Sequence, residues 1–199
     1  MKNVTSYQIA PDLFLVNQVI PSTVGAKSVE QPTNHAMIVD CSGSMTGDLA
    51  QLRTHIKNRL AMLVKDGDTV SIIWFSGRGE FGVLIEAWEV AGLKDLAALS
   101  KVVDRLRPVG LTGFKEPLEE MGRLVKRVKN NNPWSLFFMS DGCANQWDRG
   151  AILQAVKAAA GGLAAATFVE YGYYADRALL AKMAEVAGGT DIFAENFPR

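Results

Sequence analysis

Apolar residues alternate along the chain between short continuous runs and helical repeats. The apolar run His35–Val39 ends at Asp40, and leucine and isoleucine residues then recur at helical spacing, which predicts an amphipathic helix over Gly47–Lys65. Thr69–Phe75 is rich in β-branched and aromatic residues and predicts a buried strand. Gly82–Ala87 predicts the returning strand of a hairpin.

The second half of the chain continues this alternation of strands and helices. Helices are predicted over Lys94–Arg107, Glu116–Lys129, Asp148–Ala160 and Asp176–Ala187. Strands are predicted over Trp134–Met139 and Leu163–Val169, with a short final strand over Thr190–Phe193. Apolar strands that alternate with helices indicate a parallel sheet covered on both faces. The predicted fold class is therefore α/β, with a doubly wound, mainly parallel sheet, one antiparallel edge strand and helices on both faces.

The first 34 residues do not follow the alternation. We therefore predict an N-terminal extension over residues 1–34 and a single domain over residues 35–199. Gln8–Ile20 could form a strand pair or an extension along a sheet edge, and Pro11-Asp12 suits a turn. Ser22–Thr33 is interpreted as a linker into the domain.

Composition and charge exclude several classes of protein. The chain has 199 residues, of which 48% are hydrophobic, so it can bury a sizeable core. Lys+Arg and Asp+Glu both number 21, and this balance argues against nucleic acid or a polybasic membrane contact as the partner. No apolar run approaches the roughly 18 residues of a spanning helix, and none resembles a signal peptide. With only 2 cysteines a disulfide scaffold is excluded, and we expect a cytoplasmic protein.

Polar residues follow the predicted strands at the edge where ligands bind in doubly wound sheets. Asp40-Cys41-Ser42-Gly43-Ser44-Met45 follows the first strand of the domain, Ser140-Asp141-Gly142 follows the Trp134–Met139 strand, and Gly110-Leu111-Thr112-Gly113 precedes the Glu116–Lys129 helix. Two carboxylates and three hydroxyls thus converge, and all are hard oxygen donors. There is no His and Cys cluster for zinc. The donor types favour Mg²⁺, with Mn²⁺ or Ca²⁺ as alternatives.

Asp40-x-Ser42-x-Ser44, together with Thr112 and Asp141, resembles the metal-ion-dependent adhesion site (MIDAS) of the von Willebrand factor type A (VWA) domain family. The resemblance covers about residues 35–195 and includes the segments around the second and the last predicted strands of the domain. It implies that the two serines and the threonine contact the cation directly, while the two aspartates orient waters and hydroxyls.

The resemblance also implies a function. Neutral hydroxyl ligands leave the charge of the cation largely unquenched, which favours a Glu or Asp carboxylate of a partner protein at the open position. Intracellular members of the family act as adaptors of AAA+ ATPases or as parts of larger assemblies. We therefore expect a metal-dependent protein-interaction module and no enzymatic activity. Met45, Arg78 and Phe114 are candidate partner contacts because they lie beside the ligand loops or on the Gly77–Glu80 hairpin.

Simpler interpretations remain for each of these residues. The Asp40 cluster could cap a helix N-terminus or be a site that has lost its metal. Met45 and Phe114 could belong to the core, Arg78 to a solvated loop, and Trp147 is a further loop aromatic that could meet a partner. The two cysteines, at positions 41 and 143, could form a redox pair but are better explained as free thiols.

Two other functions compete with the interaction module. A structural subunit could assemble through Gln8–Ile20 without metal. A Mg²⁺-dependent phosphoryl-transfer enzyme is disfavoured because the sequence has no Gly-x-x-x-x-Gly-Lys-Ser/Thr loop and no second Asp two residues after Asp40. No His or Cys stands in a motif that would supply a base.

Overall fold

The computed structural model describes residues 3–10, 13–19, 31–146, 148–172 and 175–194 and divides the chain into two units, Met1–Glu30 and Gln31–Arg199. In the first unit, β1 (Asn3–Ala10) and β2 (Leu13–Val19) form an antiparallel hairpin. This hairpin is the strand pair that was one of the two alternatives for Gln8–Ile20. The Pro11-Asp12 turn, most of the Ser22–Thr33 linker and Trp147 lie outside the described residues.

The second unit is built on a six-stranded sheet. Its strands are, in chain order, β3 (Asn34–Asp40), β4 (Thr69–Phe75), β5 (Phe81–Glu89), β6 (Trp134–Ser140), β7 (Ala165–Glu170) and β8 (Thr190–Phe193). The order across the sheet is β5-β4-β3-β6-β7-β8, and β5 pairs antiparallel with β4 while the other neighbours are parallel. The predicted fold class is thereby confirmed.

Five α-helices and one short 3₁₀ turn over Gly43–Thr46 connect the described strands of the sheet. The helices are α1 (Leu49–Leu63), α2 (Leu93–Val103), α3 (Lys115–Arg127), α4 (Arg149–Ala160) and α5 (Arg177–Ala187). None of the helices in the described ranges is long and apolar enough to cross a membrane.

One predicted boundary is wrong by several residues. The sequence placed the end of the helix at Arg107, before Pro108, but α2 ends at Val103. The N–H groups of Arg105 and Leu106 bond the carbonyls three residues back, which tightens the chain into turns. Leu106 is buried as a result, and the chain turns back towards the end of β3.

Alternate residues of the central strand serve two different cores. Met37 and Val39 of β3 face the cluster that includes α1 and α2, whereas Ala36 and Ile38 face the cluster that includes α3, α4 and α5. All four side chains are fully buried. This two-sided burial explains the continuous apolar run in the sequence and fixes the position of the strand end at Asp40.

Candidate functional site

Strand order reverses between β3 and β6, and the candidate site lies at the carboxyl ends of these two neighbouring strands. From β3 the chain runs outwards to β4 and β5, and later from β6 to β7 and β8 on the other side. Loops therefore diverge at this point and leave a crevice, which is where doubly wound sheets bind ligands. Asp40 is the last residue of β3, and Asp141 directly follows β6.

The carboxylate of Asp40 is fully buried and organises the two loops. Its Oδ1 accepts a hydrogen bond of 2.7 Å from the backbone N–H of Ser42, and its Oδ2 accepts one of 2.5 Å from the hydroxyl of Ser140. The Ser140 Oγ in turn accepts the N–H of Gly142 at 3.0 Å. Both carboxylate oxygens are thus engaged, so Asp40 acts here by positioning the residues around it.

The hydroxyls of Ser42 and Ser44 are brought together as the sequence predicted. Their Oγ atoms lie 3.0 Å apart. Ser42 is buried and Ser44 is exposed, so the pair reaches from the protein interior to the surface. Between them, the N–H of Gly43 bonds the carbonyl of Gly110 at 3.1 Å and so links this loop to the loop that carries Thr112.

The Thr112 loop is held mainly through its backbone. The N–H of Thr112 donates to Oδ1 of Asn145 at 3.1 Å, and the N–H of Asn145 returns a bond of 3.2 Å to the carbonyl of Thr112. The Ser76 hydroxyl donates to the carbonyls of Val109 and Leu111. Asn145 was not a candidate from the sequence, although its position four residues after Asp141 was a usable signal.

A pocket of about 200 Å³ opens beside these residues, and Ser44 and Asp141 both line it. Asp48 lines it as well and adds a third carboxyl group that the sequence reasoning missed. Asp48 directly precedes α1, and its side chain makes no capping hydrogen bond. Burial, with the nearby charge of Asp141, raises the pKa of Asp48.

Carboxyl groups are concentrated at this edge. Burial raises the pKa of Asp40 to about 7, against the hydrogen bonds from Ser140 and Ser42, and the charge of Asp141 adds to the rise. A cation close to Asp40 would favour its charged form and so lower this pKa.

Comparison with known proteins identifies the fold. Neither a protein-family model nor a curated protein matches the sequence. Solved structures do match. A von Willebrand factor type A protein from Catenulispora acidiphila superposes with a TM-score of 0.73 at 21% identity, over 84% of this chain and 41% of that chain. This chain has the von Willebrand factor type A fold.

Two further solved structures carry the same VWA fold. Manganese-loaded TRAP protein from Plasmodium vivax has a TM-score of 0.65 at 16% identity, over 78% of this chain and 63% of that chain. BatB from Bacteroides thetaiotaomicron has a TM-score of 0.65 at 15% identity, over 81% and 89%. The chain therefore spans well under half of the Catenulispora protein but most of BatB.

The donor set of this VWA fold suits a hard divalent cation. In the part of the chain that the structure describes, no group of three or more His, Cys, Asp or Glu side chains could hold a metal ion. Ser42 and Ser44 offer two hydroxyl donors at hydrogen-bond distance from each other. Mg²⁺ and Mn²⁺ prefer oxygen ligands and retain several waters, so a few protein donors are enough.

Two of the predicted partner contacts are wrong. Met45 and Phe114 are completely buried, and neither can form a surface for a partner. The ring of Phe114 packs edge-on against Phe75 at 5.5 Å and Phe138 at 5.0 Å between centroids, so the core and not a partner explains this residue. Arg78 is exposed on the hairpin between β4 and β5, and its role as a partner contact stays a prediction.

The two cysteines are both free thiols, as predicted, and form no disulfide. Cys41 is buried, and burial raises the pKa of its thiol to about 12. Burial and the charge of Asp141 also raise the pKa of Cys143. A thiol that stays protonated is a poor nucleophile, so neither cysteine has the properties of a reactive residue.

Proposed function

We propose that the chain is a divalent-cation-dependent protein-interaction module. Mg²⁺, or Mn²⁺ or Ca²⁺ in its place, is held at the MIDAS-like edge by the residues Asp40, Ser42, Ser44, Thr112 and Asp141. The observation that carries the proposal is the pair of serine hydroxyls 3.0 Å apart, beside a fully buried aspartate at the point where strand order reverses. The VWA fold of manganese-loaded TRAP supports a divalent metal.

The residues divide into two roles in this proposal. The hydroxyls of Ser42, Ser44 and Thr112 bind the cation, while Asp40 and Asp141 hold their loops and orient water. Asp40 already accepts the Ser42 N–H, and Asp141 Oδ1 accepts the N–H of Cys143 at 3.0 Å. Because neutral ligands leave positive charge on the ion, a Glu or Asp of a partner protein completes its coordination.

A binding role at this edge is better supported than an enzymatic one. Both oxygens of Asp40 are engaged in hydrogen bonds and its side chain has no exposed surface, so it cannot attack a phosphoryl group as a nucleophile. We therefore propose a module that is not an enzyme. Its partner is a protein with an acidic segment. The family resemblance suggests that this partner is an AAA+ ATPase or part of a larger intracellular assembly.

Calorimetric titration of Mg²⁺ and Mn²⁺ tests the metal site. We expect saturable binding to the wild type, and at least a tenfold loss of affinity in Ser44→Ala because one direct ligand is removed. Thr54→Ala is the matched control, since its hydroxyl is exposed on α1 and bonds only the carbonyl of Ala50 in the described contacts. Absence of binding in the wild type, or equal binding in Ser44→Ala, would contradict the proposal. A pull-down with Mg²⁺, repeated with chelator, then identifies the partner.

A metal-independent assembly role is the second candidate, and the β1–β2 hairpin favours it. An isolated two-stranded hairpin is marginally stable in water, so it gains from packing on other surfaces. Light scattering in chelator, with and without residues 1–30, separates the two candidates. A loss of assembly on deletion, with no effect of chelator, would support the structural role.

A further inference from the structure

A second cavity includes Cys41 of the loop that follows β3. It has a volume of about 200 Å³ and is lined by Cys41, Trp74, Leu84, Arg105, Leu106, Arg107 and Val109. We call it the Trp74 pocket. An engineered cavity of roughly 150 Å³ binds benzene, so the Trp74 pocket can accommodate a phenyl ring or a branched aliphatic side chain.

The walls of the Trp74 pocket are apolar and its mouth is basic. Trp74 and Leu84 come from the paired strands β4 and β5 and pack against the core, while Leu106 and Cys41 close the floor as buried residues. The indole can lie over β5 because a Cβ at Gly82 would stand 2.9 Å from its Nε1. Arg105 and Arg107 are both exposed, which places two positive charges beside an apolar cavity.

The loop that borders the pocket is held in place and presents apolar side chains to solvent. Val109 donates its N–H to the carbonyl of Cys41 at 2.7 Å, and the carbonyl of Gly110 accepts the N–H of Gly43 at 3.1 Å. Val109 and Leu111 nevertheless expose 48% and 55% of their surface. Two half-exposed apolar side chains therefore lie on the loop that borders the apolar pocket.

Cys41 joins the Trp74 pocket to the candidate metal edge. Cys41 lines the pocket, whereas its neighbours in sequence, Asp40 and Ser42, belong to the metal edge. The two sites are thus separated by one strand end and share the backbone of the same loop.

We propose that the Trp74 pocket binds a bulky apolar side chain of a partner protein, and that this side chain is flanked by acidic residues. The apolar walls take the side chain, and the guanidinium groups of Arg105 and Arg107 attract the flanking carboxylates. The inference deepens the proposed function and rests on it only for the carboxylate that the metal edge takes. It replaces Met45 and Phe114, which are buried, with Val109 and Leu111 as the apolar surface beside the cation.

Short peptides provide a direct test with the complete chain. The probe is the acetylated tetrapeptide amide Glu-Phe-Glu-Glu, compared with Glu-Ala-Glu-Glu, and binding is followed by NMR at the Leu84 methyl groups and the Trp74 indole N–H. We expect the phenylalanine peptide to shift these signals and to bind about tenfold more tightly than the alanine peptide, because a phenyl ring is removed from water. Equal affinities, or shifts only at distant residues, would overturn the proposal.

Two variants of the protein sharpen the test. Leu84→Trp fills the pocket and should abolish the preference for phenylalanine. Arg105→Gln should weaken the peptide about two- to fivefold, as expected for exposed charge pairs, whereas Lys157→Gln removes an equal charge from α4 and should have no effect. If Leu84→Trp does not fold, equal effects of the two charge variants would still overturn the proposal.

Repeating the titration with chelator and with Mg²⁺ separates this inference from the proposed function. A preference for the phenylalanine peptide that persists in chelator supports binding in the Trp74 pocket. If Mg²⁺ then adds nothing to the affinity, only the proposed metal-dependent contact is contradicted. Binding that requires Mg²⁺ but does not distinguish phenylalanine from alanine supports the metal edge and overturns the pocket.

Discussion

The buried carboxyl group of Asp40 should make the metal-free protein less stable as pH rises, and Asp40→Asn should remove this effect. Without a cation, the side chain of Asp40 has no exposed surface and lies near the charge of Asp141. Burial raises its pKa from 3.8 to about 7. Asparagine keeps the shape and the acceptor for the Ser42 N–H but carries no charge.

The sign and size of the effect follow from proton linkage. The folded state holds the proton up to about pH 7, whereas the unfolded chain loses it near pH 3.8. The stability that the protonated group contributes is therefore fully present below pH 3.8 and is lost as pH rises through about 7. The rise in pKa corresponds to about 4 kcal/mol of unfolding free energy.

Urea unfolding in chelator at pH 4.5 and pH 8 measures this contribution. The unfolding free energy of Asp40→Asn, minus that of the wild type, should increase by about 3 kcal/mol between the two pH values. Asp66→Asn, at an exposed turn, should show no such increase and serves as the control. A difference that changes by less than about 1 kcal/mol would refute the reasoning. Mg²⁺ should then stabilise the wild type more than Asp40→Asn.

Three further substitutions test the packing of the core, the loss of stability at acid pH and the conformation of the Thr112 loop. Phe114→Ala should lower the unfolding free energy by about 3–5 kcal/mol because a fully buried ring is lost, whereas Leu111→Ala at an exposed site should cost less than about 0.5 kcal/mol; urea unfolding compares them. Asp68→Asn should flatten the fall in stability at acid pH. Burial tends to raise the pKa of Asp68, but hydrogen bonds from Lys65, Thr33 and His35 outweigh burial and lower this pKa. The stability that the charged Asp68 contributes is therefore present above pH 3.8 and is lost as pH falls through the lower folded pKa. Gly110→Ala should cost at least about 1 kcal/mol by thermal unfolding, since its φ is +62° and a Cβ would lie 2.7 Å from Ser76 Oγ.

The central strands of the sheet were predictable from continuous apolar runs because these strands are buried on both faces. Thr69–Phe75 was predicted with its observed ends because turn residues bound this apolar run on both sides, and Thr190–Phe193 was predicted with its observed ends after Gly188-Gly189. The convergence of Ser42 and Ser44 followed from the position of a single strand end. The metal ligands as a set stay a prediction.

Three-dimensional packing decided what the sequence left open. A lone aromatic such as Phe114 beside a ligand loop has no periodicity that separates core from surface, and only its contacts with Phe75 and Phe138 settle the matter. Asp48 was not a candidate because the predicted helix began at Gly47, and sequence does not show which way a side chain faces. The end of α2 was missed because the contact between Val109 and Cys41, which draws the chain back, is remote in sequence.

Hydrogen bonds of Ser76 connect the Thr112 loop to the antiparallel strand pair β4–β5 at the edge of the sheet. Its hydroxyl bonds the loop at two carbonyls, its own carbonyl accepts the N–H of Gly113 at 2.7 Å, and its N–H bonds the carbonyl of Glu80 at 2.8 Å across the hairpin. A displacement of Thr112 towards a cation must carry Ser76 with it or break these bonds. A cation that moved the Thr112 loop would thus also displace the adjoining ends of β4 and β5. Binding near the centre of the sheet would then change the position of its antiparallel edge strand.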